Sequence, residues 1–183
     1  MGKERDKKHI EVLDIINVVK KEYANIQIVE IDKNDIVFEE SVKMNCFYCA
    51  KYNNNFKCPP NIPQINFVKM ISEYEHVFIV YTKFKIDDVE RTRRESSIYL
   101  HNAMIAMEKE LWKHNNSTAL SFIGGSCKLC ANGCDDKKCR NPYLARTPVE
   151  ALGINIIKTV RKYGIKVYFY NIKEMLRIGM LLC

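Results

Sequence analysis

The sequence has no long hydrophobic run. Its most apolar stretches, such as VFIVY at 77–81, are far too short to span a bilayer. The first residues, MGKERDKKH, are charged and no apolar segment follows them, so no secretory leader is expected and the chain is expected to stay in the cytosol. No internal repeat or low-complexity linker interrupts the 183 residues. That length suits one domain over 1–183, with residues 1–8 as a flexible charged tail. Also missing are a Ser–His–Asp order, a P-loop lysine motif and a GxGxxG turn, which removes the usual support for hydrolase, NTPase or dinucleotide chemistry.

Apolar residues and cysteine are what the sequence has in plenty. Hydrophobic residues make up 47% of the chain, enough to bury a core. The formal charge of +7 is a weak sign of nucleic acid, because metal-bound cysteines would be thiolates and would offset most of it. Neither a nucleic-acid partner nor a membrane is therefore expected. Eight cysteines in a reducing compartment point to metal or catalysis more than to disulfides.

Apolar spacing predicts a helix over 9–24 and a strand over 26–32, then a turn at 33–35 and a hairpin partner in IVFEE. Pro63 opens an expected helix through Tyr74 with Phe67, Val68 and Ile71 inward. A strand follows at 76–84. A long helix, capped by Asp87 or Asp88, then runs to Asn115 with Leu100, Met104, Met107 and Leu111 as its core stripe. Further strands are expected at 118–125, 166–170 and 178–183, with a short helical turn at Pro148 and a helix from Asn155 to Gly164. Two βαβ-like runs, 76–123 and 118–170, suggest an α/β or α+β sandwich. Its mixed central sheet would be flanked by helices and would carry two cysteine-rich metal-binding loops at strand ends.

The cysteines carry the chemistry. The second loop reads Cys127-x2-Cys130-x3-Cys134-x4-Cys139. Four thiolates can hold one zinc ion or one [4Fe–4S] cubane. Structural zinc sites usually pair two CxxC-like units across a longer arm, so four irregularly spaced ligands in one loop favour the cluster. Gly124, Gly125 and Gly133 would let backbone N–H groups approach the sulfurs.

The first loop holds Cys46-x2-Cys49-x8-Cys58 before Pro59 and Pro60. Three thiolates on a cubane leave one iron open, the counterpart of the free position in a catalytic zinc site. A carboxylate, His76, His101 or Cys183 would be the alternatives for that position. The histidines read first as structural or surface residues, and Cys183, in GMLLC, as a small hydrophobe of a terminal strand. Tyr48, Tyr52 and Phe56 are expected to shield the first loop from water. Lys128, Lys137, Lys138, Arg140 and Arg146 rim the second, as a solvated face, as support for an anionic cluster or as a docking surface for an acidic redox partner. Arg91, Arg93 and Arg94 on the long helix read first as a solvated face and second as an anion site.

Together CFYCAKYNNNFKCPP and ALSFIGGSCKLCANGCDDKKCRNPYLARTPVEALGINI resemble the predicted metal-binding proteins of domain of unknown function 2284. The first stretch matches C-x2-C-x2-Y-x3-W/F-x-C-P-P. The second matches a hydrophobic strand, G-x-C-x2-C, two further cysteines, a C-R-x-P step and P-x-E-A-x-G-I. The resemblance runs from about residue 26 to the last strand, with Asn54 standing where a glycine is expected. It implies metal binding through Cys46, Cys49, Cys58, Cys127, Cys130, Cys134 and Cys139, and it supplies no reaction. The expectation is a cytosolic iron–sulfur protein with one or two [4Fe–4S] clusters for electron transfer or redox chemistry. A structural zinc module for protein or RNA interaction is the alternative.

Overall fold

The structure, a computed structural model, describes residues 12–170 and 173–183. The expected tail over 1–8 and the start of the 9–24 helix lie outside the described residues. Residues 12–17 form α1, which tightens into a three-ten turn at Val18–Lys21. β1 (Ile26–Ile31), α2 (Glu40–Phe47) and α3 (Phe67–Ser72) follow, then β2 (Val77–Lys85) and α4 (Val89–Lys113). β3 (Leu120–Phe122), a three-ten turn at Val149–Leu152, α5 (Ile156–Arg161) and β4 (Glu174–Leu182) complete the order.

The four strands lie in the order β1-β2-β4-β3, and every neighbouring pair is antiparallel. The fold is therefore α+β. β2 and β3 still run the same way, joined by α4 as the 76–123 pattern suggests, but β4 is inserted between them. β4 pairs with β2 along nine residues, Val77↔Leu182 to Lys85↔Glu174. That ladder explains two departures. The last strand starts at Glu174 and not 178, and KVYFY at 166–170 forms no strand, leaving Tyr168, Phe169 and Tyr170 exposed. The second βαβ run is consequently not built.

Successive strand residues point to opposite faces, and both faces are covered. Phe78, Val80 and Leu181 pack with the Leu100, Met104, Met107 and Leu111 stripe of α4 and with Ile16 and Val19. Val77, Ile79, Met180 and Leu182 pack with Ile71 of α3, Val149 and Leu152 of the turn, and Ile156 and Val160 of α5. Local chemistry sets the ends of these elements. Asp88 caps α4 by accepting the Arg91 N–H at 2.7 Å, and Asn155 caps α5 by accepting that of Lys158 at 3.0 Å.

Three local expectations shift. IVFEE does not return on β1: Phe38 bridges Ile154 and the Asn155 N–H donates to the Val37 carbonyl at 2.8 Å, so this segment docks on the α5 side. α3 begins at Phe67, after an Asn66 cap, and Val68 is exposed. The first cysteine loop hangs between two helices, α2 and α3, while the second leaves β3 as expected.

His101 lies fully inside α4's buried face, 2.9 Å from the Leu144 carbonyl. Burial holds its pKa down at about 4, with the Leu144 hydrogen bond opposing and the Arg146 charge adding to the fall. The unfolded chain protonates this imidazole near pH 6.5. Stability should therefore be complete above that pH and fall as pH drops from about 6.5 to 4, by on the order of 3 kcal/mol. Urea titrations at pH 7 and 4.5 should show this slope in the parent and lose it in H101Q. An equal slope in both would refute the assignment.

Candidate metal centre

Cys46 sits in the last turn of α2, half-buried; Cys49 is exposed and Cys58 is buried. A chain of turns folds the loop between them. The Cys49 N–H donates to the Cys46 carbonyl (3.2 Å), Tyr52 to Cys49 (2.9 Å) and Cys58 to Asn55 (3.0 Å), while Asn53, at φ 54°, donates to Pro59 (2.9 Å). Asn53 thus takes the left-handed position, a conformation asparagine tolerates. Asn54 donates through its side chain to the Ala50 carbonyl at 3.2 Å. Tyr48 is 77% exposed and cannot shield the thiols; Tyr52 and Phe56 are half-buried.

The second loop is anchored by β4. At Gly124 a Cβ would stand 2.3 Å from the Ile178 carbonyl oxygen, so only glycine allows the chain to leave β3 this close to its neighbour. Cys127, Cys130, Cys134 and Cys139 are all half-buried. Three cysteine sulfurs receive N–H donors: Cys130 from the Asn141 side chain at 3.2 Å, Cys49 from the Lys51 backbone at 3.5 Å, and Cys127 from the Leu129 backbone. Such bonds stabilise thiolates and tune a bound metal. Gly125 instead donates its N–H to a Glu150 carboxylate oxygen, at 3.2 Å.

The two loops meet. Buried Asn55 of the first reaches the Cys127 carbonyl of the second at 3.4 Å. A cleft of about 270 Å³ lies between residues 53–56 and Asn61 on one side and 134–136 on the other. The Cys58 thiol is pushed up to about 12, first by burial and then by repulsion from Cys46, Cys49, Cys127 and Cys134, which draw on both loops. Cys127 is raised by burial, partly relieved by the Leu129 hydrogen bond, and by Cys134, Cys130 and Cys139. Cys46 is raised by burial, then by Glu150 and Cys49. A cation between these groups would displace their protons and cancel the repulsion.

The other expected residues are placed elsewhere. Cys183 is buried beside Leu182, which pairs with the first residue of β3, whereas the second loop leaves from the last. Its thiol is pushed up to about 12 by burial and by Glu30 and Glu75, with no contribution from another cysteine. His76 lies within 2.9 Å of Glu30 and stacks on Phe78. Arg146 leaves the expected basic rim, because it pairs with fully buried Glu108. Arg140 faces Asp135 at 3.4 Å, and Lys137 and Lys138 remain exposed. Arg91 pairs with Asp87, as a solvated helix face allows. Lys128 is held below the usual lysine range by burial and then by Arg177, Arg93 and Lys51, with the Cys127 thiol opposing, so cations from four segments gather around Lys128.

The cysteine-rich stretches, with the proline-ended first loop and the glycine-led second, carry a family signature over residues 29–183. The chain belongs to the predicted metal-binding proteins of domain of unknown function 2284. Neither a curated protein nor a solved structure matches it. The family's domain is one of predicted metal binding, and no helix among the described residues is long and apolar enough to cross a membrane.

Among the described residues, no three His, Cys, Asp or Glu side chains stand close enough to grip a single ion. A tetrahedral zinc site with bonds of about 2.3 Å would need sulfurs about 3.8 Å apart. Thiolates on a cubane bind different irons and stand further apart. Sequence reasoning missed Asn55, Asn141 and Glu150. For the last two the signal was present in the C-R-x-P and P-x-E-A steps, which read as spacing and not as donors.

Proposed function

We propose that this protein is a cytosolic iron–sulfur protein whose two cysteine loops hold one or two [4Fe–4S] clusters for electron transfer or redox chemistry. Cys127, Cys130, Cys134 and Cys139 would close one site. Cys46, Cys49 and Cys58 would hold the other and leave one coordination position for a different donor. The observation that supports this reading best is the meeting of the loops at Cys58, which feels thiols from both. Bound there, a cluster would accept and release single electrons over a short distance.

The chain's own residues support that use. N–H donors on Cys49 and Cys130 would hydrogen-bond metal-bound sulfurs. The positive charge of Lys51, Arg93, Lys128 and Arg177 would balance an anionic metal–thiolate group. Lys137 and Lys138 offer a basic surface beside the second loop for an acidic redox partner. The protein should be purified under anaerobic conditions and assayed for iron, zinc and labile sulfide per chain, with a visible spectrum. Equal iron and sulfide, roughly four of each per cubane, are expected. Stoichiometric zinc with no visible band would replace this reading with a structural zinc module serving protein or RNA interaction.

A further inference from the structure

A cleft of about 770 Å³ opens on the sheet, and no cysteine lines it. Its floor is Val29 of β1, Tyr81 of β2 and Leu176 of β4, on the face that also carries Ile79 and Ile178 of the core. Tyr81, Lys83 and Lys85 alternate along β2 and so share that face. The ladder sets Lys83 opposite Leu176 and Lys85 opposite Glu174. α5, which covers the core part of this face, ends at Arg161, and Gly164, at φ +75°, turns the chain. Residues 165–170 then form the wall of the cleft without making a strand, and Lys166, Tyr168 and Tyr170 line it. Tyr163 ties this wall to the end of β1. Its hydroxyl accepts the Asp32 N–H and donates to Asp35 Oδ2, each at 2.7 Å.

Two sets of side chains in the cleft are uncommitted. Lys83, Lys85, Lys166 and Lys173 are exposed, and among the described residues none of them enters an ion pair. Glu174 is the one carboxylate that lines the cleft with them. Tyr168 and Tyr170 are 67% and 89% exposed, and neither stacks on another ring among the described residues. A concave positive site attracts phosphate, and an exposed aromatic ring attracts a planar base. The size suits a small molecule, since ligand pockets run from about 300 to about 1,000 Å³. We propose that this cleft binds a nucleoside polyphosphate, with the base stacked on Tyr168 or Tyr170 and the phosphates held by Lys83, Lys85, Lys166 and Lys173. Four cations against one carboxylate match a di- or triphosphate better than a single phosphate. The site is one of binding and not of hydrolysis, in keeping with a sequence that has no P-loop lysine motif. The inference is independent of the iron–sulfur reading, because no cysteine takes part in it.

The test is isothermal titration of the full chain, purified anaerobically, with ATP, GTP, CTP, UTP, inorganic triphosphate and a single-stranded RNA oligomer. At least one of the four nucleotides should bind about tenfold or more tightly than inorganic triphosphate, the margin expected of a stacked base. K83A/K85A should weaken that nucleotide by about tenfold or more. Y168A/Y170A should bring it down to the level of inorganic triphosphate and leave triphosphate binding unchanged, which a loss of structure would not do. K137A/K138A, at the second cysteine loop, should match the parent. The proposal falls if no nucleotide exceeds inorganic triphosphate. It also falls if K137A/K138A weakens binding as much as K83A/K85A, since binding would then be a matter of charge spread over the surface. RNA binding tighter than that of every nucleotide, and lost in the same cleft variants, would make the cleft part of a single-strand groove and overturn the assignment of a free nucleotide.

Discussion

Replacing Arg146 with methionine is expected to lower the stability of the protein by about 3–5 kcal/mol. Its Nε lies 2.8 Å from Oε1 and 3.0 Å from Oε2 of Glu108, and its Nη2 makes a further bond to the same carboxylate. Glu108 is wholly buried in α4 and also accepts from the backbone N–H and hydroxyl of Ser121 in β3. The pair therefore joins helix, sheet and the segment leaving the second cysteine loop. Removing the guanidinium leaves a carboxylate in the core with too few donors, which is where the cost arises. The double variant E108Q/R146M should recover much of the loss, since the buried charge is gone. Urea unfolding of the two single variants and the double variant measures both effects. A loss under about 1 kcal/mol in R146M would show that water reaches Glu108.

Replacing Cys58 with serine is the second large effect. The variant should lose the metal of the first loop, about half the total if each loop holds one cubane. The remaining centre should also change, because the Cys58 thiol adjoins Cys127 and Cys134 as well as its own loop. C139S should show the reverse, losing the second loop's metal and keeping the first. Iron and sulfide per chain give the loading, and the visible and paramagnetic spectra give the neighbour's response. Parental loading in C58S would remove Cys58 from the ligand set. An unchanged spectrum of the surviving centre would mean that the loops meet without the metals sensing one another.

Much of the fold was legible where local chemistry decides it. Asp88 and Asn155 declared their helices by their caps, and Leu100, Met104, Met107 and Leu111 declared the buried stripe of α4. α2 was not legible, since ESVKMNCF buries Val42 and little else and so shows no apolar face. The place of β4 was hidden for a different reason. Strand order depends on pairing between residues about a hundred positions apart, as Val77 and Leu182 are, and no short window of sequence carries it. The candidate site divides the same way. Seven cysteines announce themselves by spacing, but the meeting of their loops does not, since Asn55 and the Cys127 carbonyl that it reaches lie far apart in sequence.

The insertion of β4 between β2 and β3 also orders events in time. Both cysteine loops are synthesised before the strand that joins the two parts of the sheet. Until residue 174 has emerged, β2 has only β1 for a partner and β3 has none, so the Gly124 contact with Ile178 does not yet exist. A nascent chain at that stage carries seven thiols on loops with no fixed mutual position. Pairing of β4 then fixes where the second loop leaves the sheet, so a cofactor delivered earlier would meet that loop without this anchor.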